Sequence, residues 1–162
     1  MGALVSRTHF DRVMGFIQTA KSEGARLVAG GHAVTDGPLA NGTFIAPTIF
    51  ADVQSDMTIA REEIFGPVLA VRRWSDEARM LEEVNGLDVG LTCAIWSRDL
   101  ATAHRAASRV EAGFVWINEV GRHFLGAPFG GVKQSGIGRE EGIGELLAFT
   151  HEKNIHINLN GQ

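Results

Sequence analysis

Apolar residues Phe10, Val13, Met14, Ile17 and Ala20 recur at three- and four-residue spacing between Arg7, Asp11, Gln18 and Lys21. That period predicts an amphipathic helix over residues 6–23, ending at Gly24. A short apolar run follows at residues 26–29, then the turn Gly30-Gly31 and a loop bracketed by Asp36-Gly37-Pro38 and Asn41-Gly42. Residues 43–50 are rich in β-formers, but Pro47 cannot donate to a ladder, which predicts an edge or irregular strand there. Residues 68–74 read as a strand, and Ser75-Asp76-Glu77 as the acidic start of a short helix with Leu81 and Val84 on its apolar side. A second apolar run covers residues 91–96; Asp99 then caps a helix predicted to reach Val110, and residues 113–118 return to strand. A last helix is predicted over residues 139–149. Beyond it, residues 151–159 alternate polar and apolar like a half-exposed strand made to pair with something. Strands alternating with helices give an α/β class. No repeat or linker divides the pattern, so one compact core is expected.

Composition agrees with an ordered, water-soluble chain. Of 162 residues 44% are hydrophobic and 21% charged, and the net charge is −4 from fifteen Lys plus Arg against nineteen Asp plus Glu. No basic block stands out, which argues against a nucleic-acid partner. No run approaches the ~18–20 apolar residues of a membrane span, so no membrane partner is expected. One cysteine, Cys93, allows neither an internal disulfide nor a multi-cysteine zinc site, and a cytoplasmic setting is expected. The twenty glycines gather towards the C-terminal third, where the backbone must turn sharply or approach other segments closely.

Several motifs bear on chemistry. Gly136-Ile137-Gly138-Arg139-Glu140-Glu141-Gly142 superficially matches a dinucleotide-binding turn, but Glu141 stands where the third glycine belongs and no strand precedes it, so it reads as a helix start. Cys93 lies mid-strand between Thr92 and Ala94, a place for a buried, inert thiol rather than a nucleophile. The six histidines show no i,i+4 pair, and no metal site is expected. In Arg61-Glu62-Glu63-Ile64-Phe65-Gly66-Pro67-Val68 two readings stay open. Either the glutamates are solvated and Phe65 plugs the core, or a carboxylate and an aromatic face stand together to bind sugar hydroxyls and a flat ring. The irregular stretch 118–136, with His123, Phe124 and Phe129, sits after a strand, where ligand sites tend to lie; Phe129 either walls a pocket or closes the core.

Three blocks together carry a resemblance: Glu62-Glu63-Ile64-Phe65-Gly66-Pro67, then Pro128-Phe129-Gly130-Gly131-Val132-Lys133-Gln134-Ser135-Gly136, then Gly138-Arg139-Glu140. In this order they resemble the C-terminal part of the aldehyde dehydrogenase superfamily, over nearly the whole chain. The resemblance implies an open, largely parallel sheet with flanking helices. It divides the chain into residues 1–150, a portion of the catalytic domain, and residues 151–162, a strand and tail that join a neighbouring subunit. It implies oxidation of an aldehyde to an acid with NAD or NADP. Glu63 then corresponds to the carboxylate that hydrogen-bonds the nicotinamide ribose and Phe65 to the aromatic beside the nicotinamide. His123 and Phe129 correspond to side chains facing the aldehyde, and Glu140 to a carboxylate behind the site on a proton-relay path. Homo-oligomerisation, as a dimer or tetramer, is implied too. The general cast of the sequence is similar to betaine-aldehyde and aromatic-aldehyde members.

The family's nucleophilic cysteine, general-base glutamate, oxyanion asparagine and coenzyme-binding domain would all precede Met1. The expectation is therefore a C-terminal portion of a larger enzyme, inactive alone, whose partners include its missing N-terminal portion and the aldehyde. The alternative is a non-catalytic assembly module that keeps only the fold.

Overall fold

The computed structural model describes residues 1–161. The chain divides into two compact units, Met1–Asp76 and Glu77–Gln162, where the sequence pattern suggested one core.

In the first unit, helix α1 (Arg7–Ser22) begins where Ser6 caps it, the Ser6 hydroxyl accepting from the His9 amide at 3.1 Å. It ends in a Schellman turn: the Gly24 and Ala25 amides donate to the carbonyls of Lys21 and Ala20, with Gly24 at φ 92°. Phe10, Val13, Ile17 and Ala20 are its buried stripe, packed against Ile45, Phe50, Val53, Ile59 and Ile64. Burial of a side chain such as Ile17 or Phe50 contributes roughly 1.5–3 kcal/mol, which makes this stripe the anchor of the unit.

Strands β1 (Arg26–Ala29), β2 (Thr48–Ala51) and β3 (Val68–Ala70) form one sheet in the order β1-β2-β3, the first pairing antiparallel and the second parallel. Of the two expectations around Pro47, the irregular one is met and the edge strand is corrected. Pro47 lies just before β2, which is the central strand, and residues 43–47 contribute only the single bridge Ala33 to Ile45. The proline thus never has to donate within the ladder. Its carbonyl instead meets the backbone at Gly30, where a Cβ would come within 2.2 Å of it and φ is 70°. Thr48, buried, ties the same turn down by accepting from the Gly31 amide at 2.8 Å. Helix α2 (Thr58–Arg61) is a single turn before the Glu62–Pro67 segment.

The second unit contains α3 (Glu77–Asn85), β4 (Val89–Gly90), β5 (Thr92–Ile95), α4 (Leu100–Ala107), β6 (Phe114–Ile117), β7 (Val132–Lys133) and α5 (Ile143–Ala148). β5-α4-β6 is a parallel crossover with Cys93 opposite Val115, while β4 and β7 pair antiparallel. Asp99 caps α4 as expected, accepting from the Ala101 amide at 3.1 Å. The helix stops at Ala107, short of Val110. Lys133 adopts φ 54° and its ammonium donates to the carbonyls of Asn85 and Leu87 and pairs with Glu111. One cation so satisfies the Asn85 carbonyl at the end of α3 and that of Leu87 just beyond it. Close approach requires glycine at one of these positions: a Cβ at Gly113 would overlap the Gly130 carbonyl at 1.8 Å.

Two C-terminal expectations change. The last helix covers only Ile143–Ala148. Residues 139–141 are drawn out of it because Glu140 pairs with Phe129 in a bridge and Glu141 takes a left-handed φ of 63°. Residues 151–161 carry no strand and are exposed throughout, with Ile155, Ile157 and Leu159 on the surface. An isolated strand has no ladder partner to satisfy its backbone, and among the described residues none pairs with it. Ile143, Leu146, Leu147 and Phe149 are likewise exposed. Among the described residues two of the four strand pairings are parallel, so the architecture there is a mixed α/β fold of one three-stranded and two two-stranded sheets. No helix among the described residues is long and apolar enough to cross a membrane.

Candidate active-site elements

The first candidate element is the Glu62–Pro67 segment. Ile64, not Phe65, enters the core, at 8% exposure. Phe65 is 74% exposed and sits at φ 57°, a left-handed backbone that a bulky residue adopts only under constraint. The reading of Phe65 as a core plug is thereby overturned. Glu62 and Glu63 are both exposed.

The constraint comes from α1, through residues that the sequence pattern assigned simply to a polar helix face. The Arg12 guanidinium donates to the carbonyl of Ile64 and to that of Glu63, both at 3.0 Å. Nε2 of His9 meets the Phe65 carbonyl at 2.7 Å. A carbonyl can only accept, so that nitrogen carries the proton. A Cβ at Gly66 would stand 2.8 Å from both methyls of Val13, so only glycine lets the segment lie this close to the helix. Three consecutive carbonyls are therefore held on one side, Ile64 is buried beneath, and the Phe65 ring is turned outward. Beside it is an open recess of about 380 Å³ lined by residues of the N-terminus, Ile45, Phe65, Gly66 and Pro67. An outward aromatic face with a free carboxylate two residues away suits a flat ring carried on a hydroxyl-bearing sugar.

The second candidate element is the loop after β6. His123, Phe129, Phe114 and Trp116 form one aromatic cluster: the His123 and Phe129 rings are 4.6 Å apart, and His123 stacks on Phe114 at 5.8 Å with planes 10° apart. Trp116 donates its indole N–H to the Arg122 carbonyl at 2.7 Å. Phe129 is half-buried and closes this cluster from one side. His123 keeps an exposed edge, and its Nδ1 meets the Glu141 carboxylate at 2.9 Å. The proton-relay candidate Glu140 does not join this contact. Its side chain is exposed, and its backbone amide and carbonyl pair with Phe129 at 2.7 and 2.9 Å. The carboxylate that reaches the cluster is Glu141, which the sequence pattern had placed inside a helix.

Cys93 is half-buried in β5, and burial pushes its thiol above the ordinary cysteine value, so it is a protonated thiol at neutral pH. Among the described residues no group of three or more His, Cys, Asp and Glu side chains gathers as a metal site requires.

Residues 1–155 match the profile of the aldehyde dehydrogenase family. The chain belongs to that family. It is 55% identical over 164 aligned residues to an aldehyde dehydrogenase, tropH, of Talaromyces stipitatus, covering 99% of this chain and 32% of that protein. Among solved structures, the NAD+ complex of an aldehyde dehydrogenase from Bacillus cereus superposes with a TM-score of 0.87 at 42% identity, over 98% of this chain and 32% of that one. A betaine aldehyde dehydrogenase double mutant from Staphylococcus aureus, also in complex with NAD+, gives 0.93 at 37% identity, over 100% and 33%. The chain therefore spans about a third of the length of these relatives. The fold is that of part of the family's catalytic domain, as the motifs implied.

Proposed function

We propose that the protein carrying this chain is an NAD(P)-dependent aldehyde dehydrogenase that oxidises an aldehyde to a carboxylic acid through a cysteine thioester, and that these 162 residues contribute to its two binding faces. The observation that carries the reading is the Glu63–Phe65 segment, whose main-chain carbonyls Arg12 and His9 hold so that an aromatic ring and a carboxylate stand exposed, inside a chain of this family. The residues present fit a nicotinamide riboside: Phe65 offers its exposed ring to the flat base and Glu63 an acceptor to the ribose hydroxyls. When bound, the coenzyme accepts the hydride released from the substrate carbon. The chain's own part is to orient that ring. Phe65 restricts its tilt, and Glu63 fixes the sugar from which it projects.

His123 and Phe129 are assigned to the aldehyde entrance, with Glu140 behind them as a proton acceptor open to solvent. The nucleophile and general base are assigned to residues outside this chain, since Cys93 is a neutral, half-buried thiol. Residues 1–150 act as catalytic-domain portion. Residues 151–162, of which Gln162 lies outside the described residues, act with exposed Ile155, Ile157 and Leu159 at alternate positions as a strand and tail that complete a neighbouring subunit's sheet in a dimer or tetramer. The reading extends to a cytoplasmic enzyme, to either NAD or NADP, and to betaine-aldehyde-like or aromatic substrates.

The test is NADH or NADPH formation with a panel of aldehydes, by the whole protein and by this chain alone, each with and without Cys93→Ala. The expected result is turnover by the whole protein that survives the substitution, and none by the chain alone. Turnover by the chain alone that disappears in Cys93→Ala would make Cys93 the nucleophile and overturn the assignment.

A further inference from the structure

The His123–Glu141 contact is used by nothing above, and it is costly to maintain. Glu141 has a left-handed φ of 63°. Its second carboxylate oxygen, Oε2, is buried with no hydrogen-bond partner among the described residues. Left-handed backbone and an unpaired buried acceptor each oppose folding, yet the backbone is pinned in place from both sides. The Gly126 amide donates to the Glu141 carbonyl at 2.7 Å, and the Glu141 amide to Oε2 of Glu145 at 2.7 Å.

What the arrangement gains is control of an imidazole. A carboxylate can only accept, so the Nδ1 that it meets at 2.9 Å carries the proton. In the neutral ring Nε2 is then an acceptor, and it has no partner among the described residues. Around it the donors and acceptors are spent or absent: Phe114 and Phe129 have none, and the Trp116 N–H is committed to Arg122. The cluster thus presents flat apolar rings and one hydrogen-bond acceptor.

We propose that Glu141 is a positioning residue that fixes His123 as its Nδ1–H tautomer, so that Nε2 accepts a hydrogen bond from a hydroxyl carried on the ring of an aromatic aldehyde. The proposal rests on the assignment of the 118–129 loop to the aldehyde entrance. It deepens that assignment by naming the substrate class, a hydroxylated aromatic aldehyde.

The test uses the whole protein and compares KM for 3- and 4-hydroxybenzaldehyde with that for the 3- and 4-methyl analogues, which match them in size but donate no hydrogen bond. One net hydrogen bond gives an expected preference for the better-placed hydroxyl aldehyde of about 3- to 10-fold in KM. Glu141→Ala is expected to remove that preference, bringing KM for the hydroxyl and methyl aldehydes together. Glu141→Gln, whose amide oxygen still accepts from Nδ1–H, is expected to retain it, and His123→Phe to lose it. A residue that merely holds the loop together would alter both aldehydes alike and leave the ratio intact. Preference lost in His123→Phe but kept in Glu141→Ala would overturn the positioning role alone. Unchanged KM for all four aldehydes in both His123→Phe and Phe129→Ala would instead remove the entrance assignment beneath it. Should Glu141→Ala not fold, the 15N shifts of His123 in the unaltered protein decide: protonated Nδ1 supports the proposal and protonated Nε2 overturns it.

Discussion

Replacing Phe65 by glycine and, separately, by alanine isolates the backbone strain at that residue. Phe65 is 74% exposed, so truncation to alanine removes little burial and costs under about 1 kcal/mol. Alanine keeps a Cβ, however, and therefore keeps the left-handed penalty of roughly 1–2 kcal/mol at φ 57°. Glycine is released from that penalty but gains unfolded-state freedom worth about 0.5–1 kcal/mol. The difference leaves Phe65→Gly about 0.5–1 kcal/mol more stable locally than Phe65→Ala, provided that Arg12, His9 and Ile64 go on holding the segment. Hydrogen exchange of the peptide spanning residues 62–68 in the whole protein reads this directly, as about 2- to 5-fold slower exchange in the glycine variant. Both variants lose the aromatic face and should form NADH more slowly, so the more protected variant is not the more active one. Faster exchange in glycine than in alanine would refute the reasoning, because it would mean that the backbone is not strained and that freedom, not constraint, dominates there.

Two further outcomes follow from the same geometry. Arg12→Ala removes two charge-assisted hydrogen bonds, each ~1.5–3 kcal/mol when sheltered and less for a guanidinium on an exposed helix face, so exchange of the 62–68 peptide should accelerate while that of α1 does not. Arg12→Lys, which cannot span both carbonyls with a planar fork, should fall between; equal exchange in all three proteins would deny the clamp. Glu77 is held below its ordinary value first by the hydrogen bond from Arg105, aided by the charges of Arg105 and Arg109 against an opposing desolvation. A carboxyl depressed in the folded state adds stability above its unfolded pKa and loses it as pH falls through the folded one. Glu77→Gln should therefore weaken protection of α3 and α4 at neutral pH, with the gap from the unaltered protein closing on acidification below the ordinary glutamate range. A gap that stays constant across the acid limb would contradict the linkage.

What the sequence makes legible is what local pattern controls. The apolar stripe Phe10, Val13, Ile17 and Ala20 becomes the buried face of α1, and Ser6 and Asp99 cap as their side chains require. Residues whose conformation is set by distant partners are not legible that way. Arg12 and His9 look like solvated helix positions until Glu63, Ile64 and Phe65, more than fifty residues away, are brought against them. Glu141 carries a helix former's identity, yet the pairing of Glu140 with Phe129 breaks the helix and delivers it to His123. The tail's alternation predicts a strand, and no strand forms there among the described residues. For Phe65 the sequence supplied the motif, and its backbone angle and exposure show that the ring is not a core plug.

The assignment of Glu63 and Phe65 to the nicotinamide face is tested most directly by the rate of hydride transfer in a single turnover of the whole protein carrying Glu63→Gln. If Glu63 fixes the ribose and thereby the ring, that rate falls by an order of magnitude or so while the dissociation constant for the coenzyme changes little. An unchanged hydride-transfer rate would contradict the account.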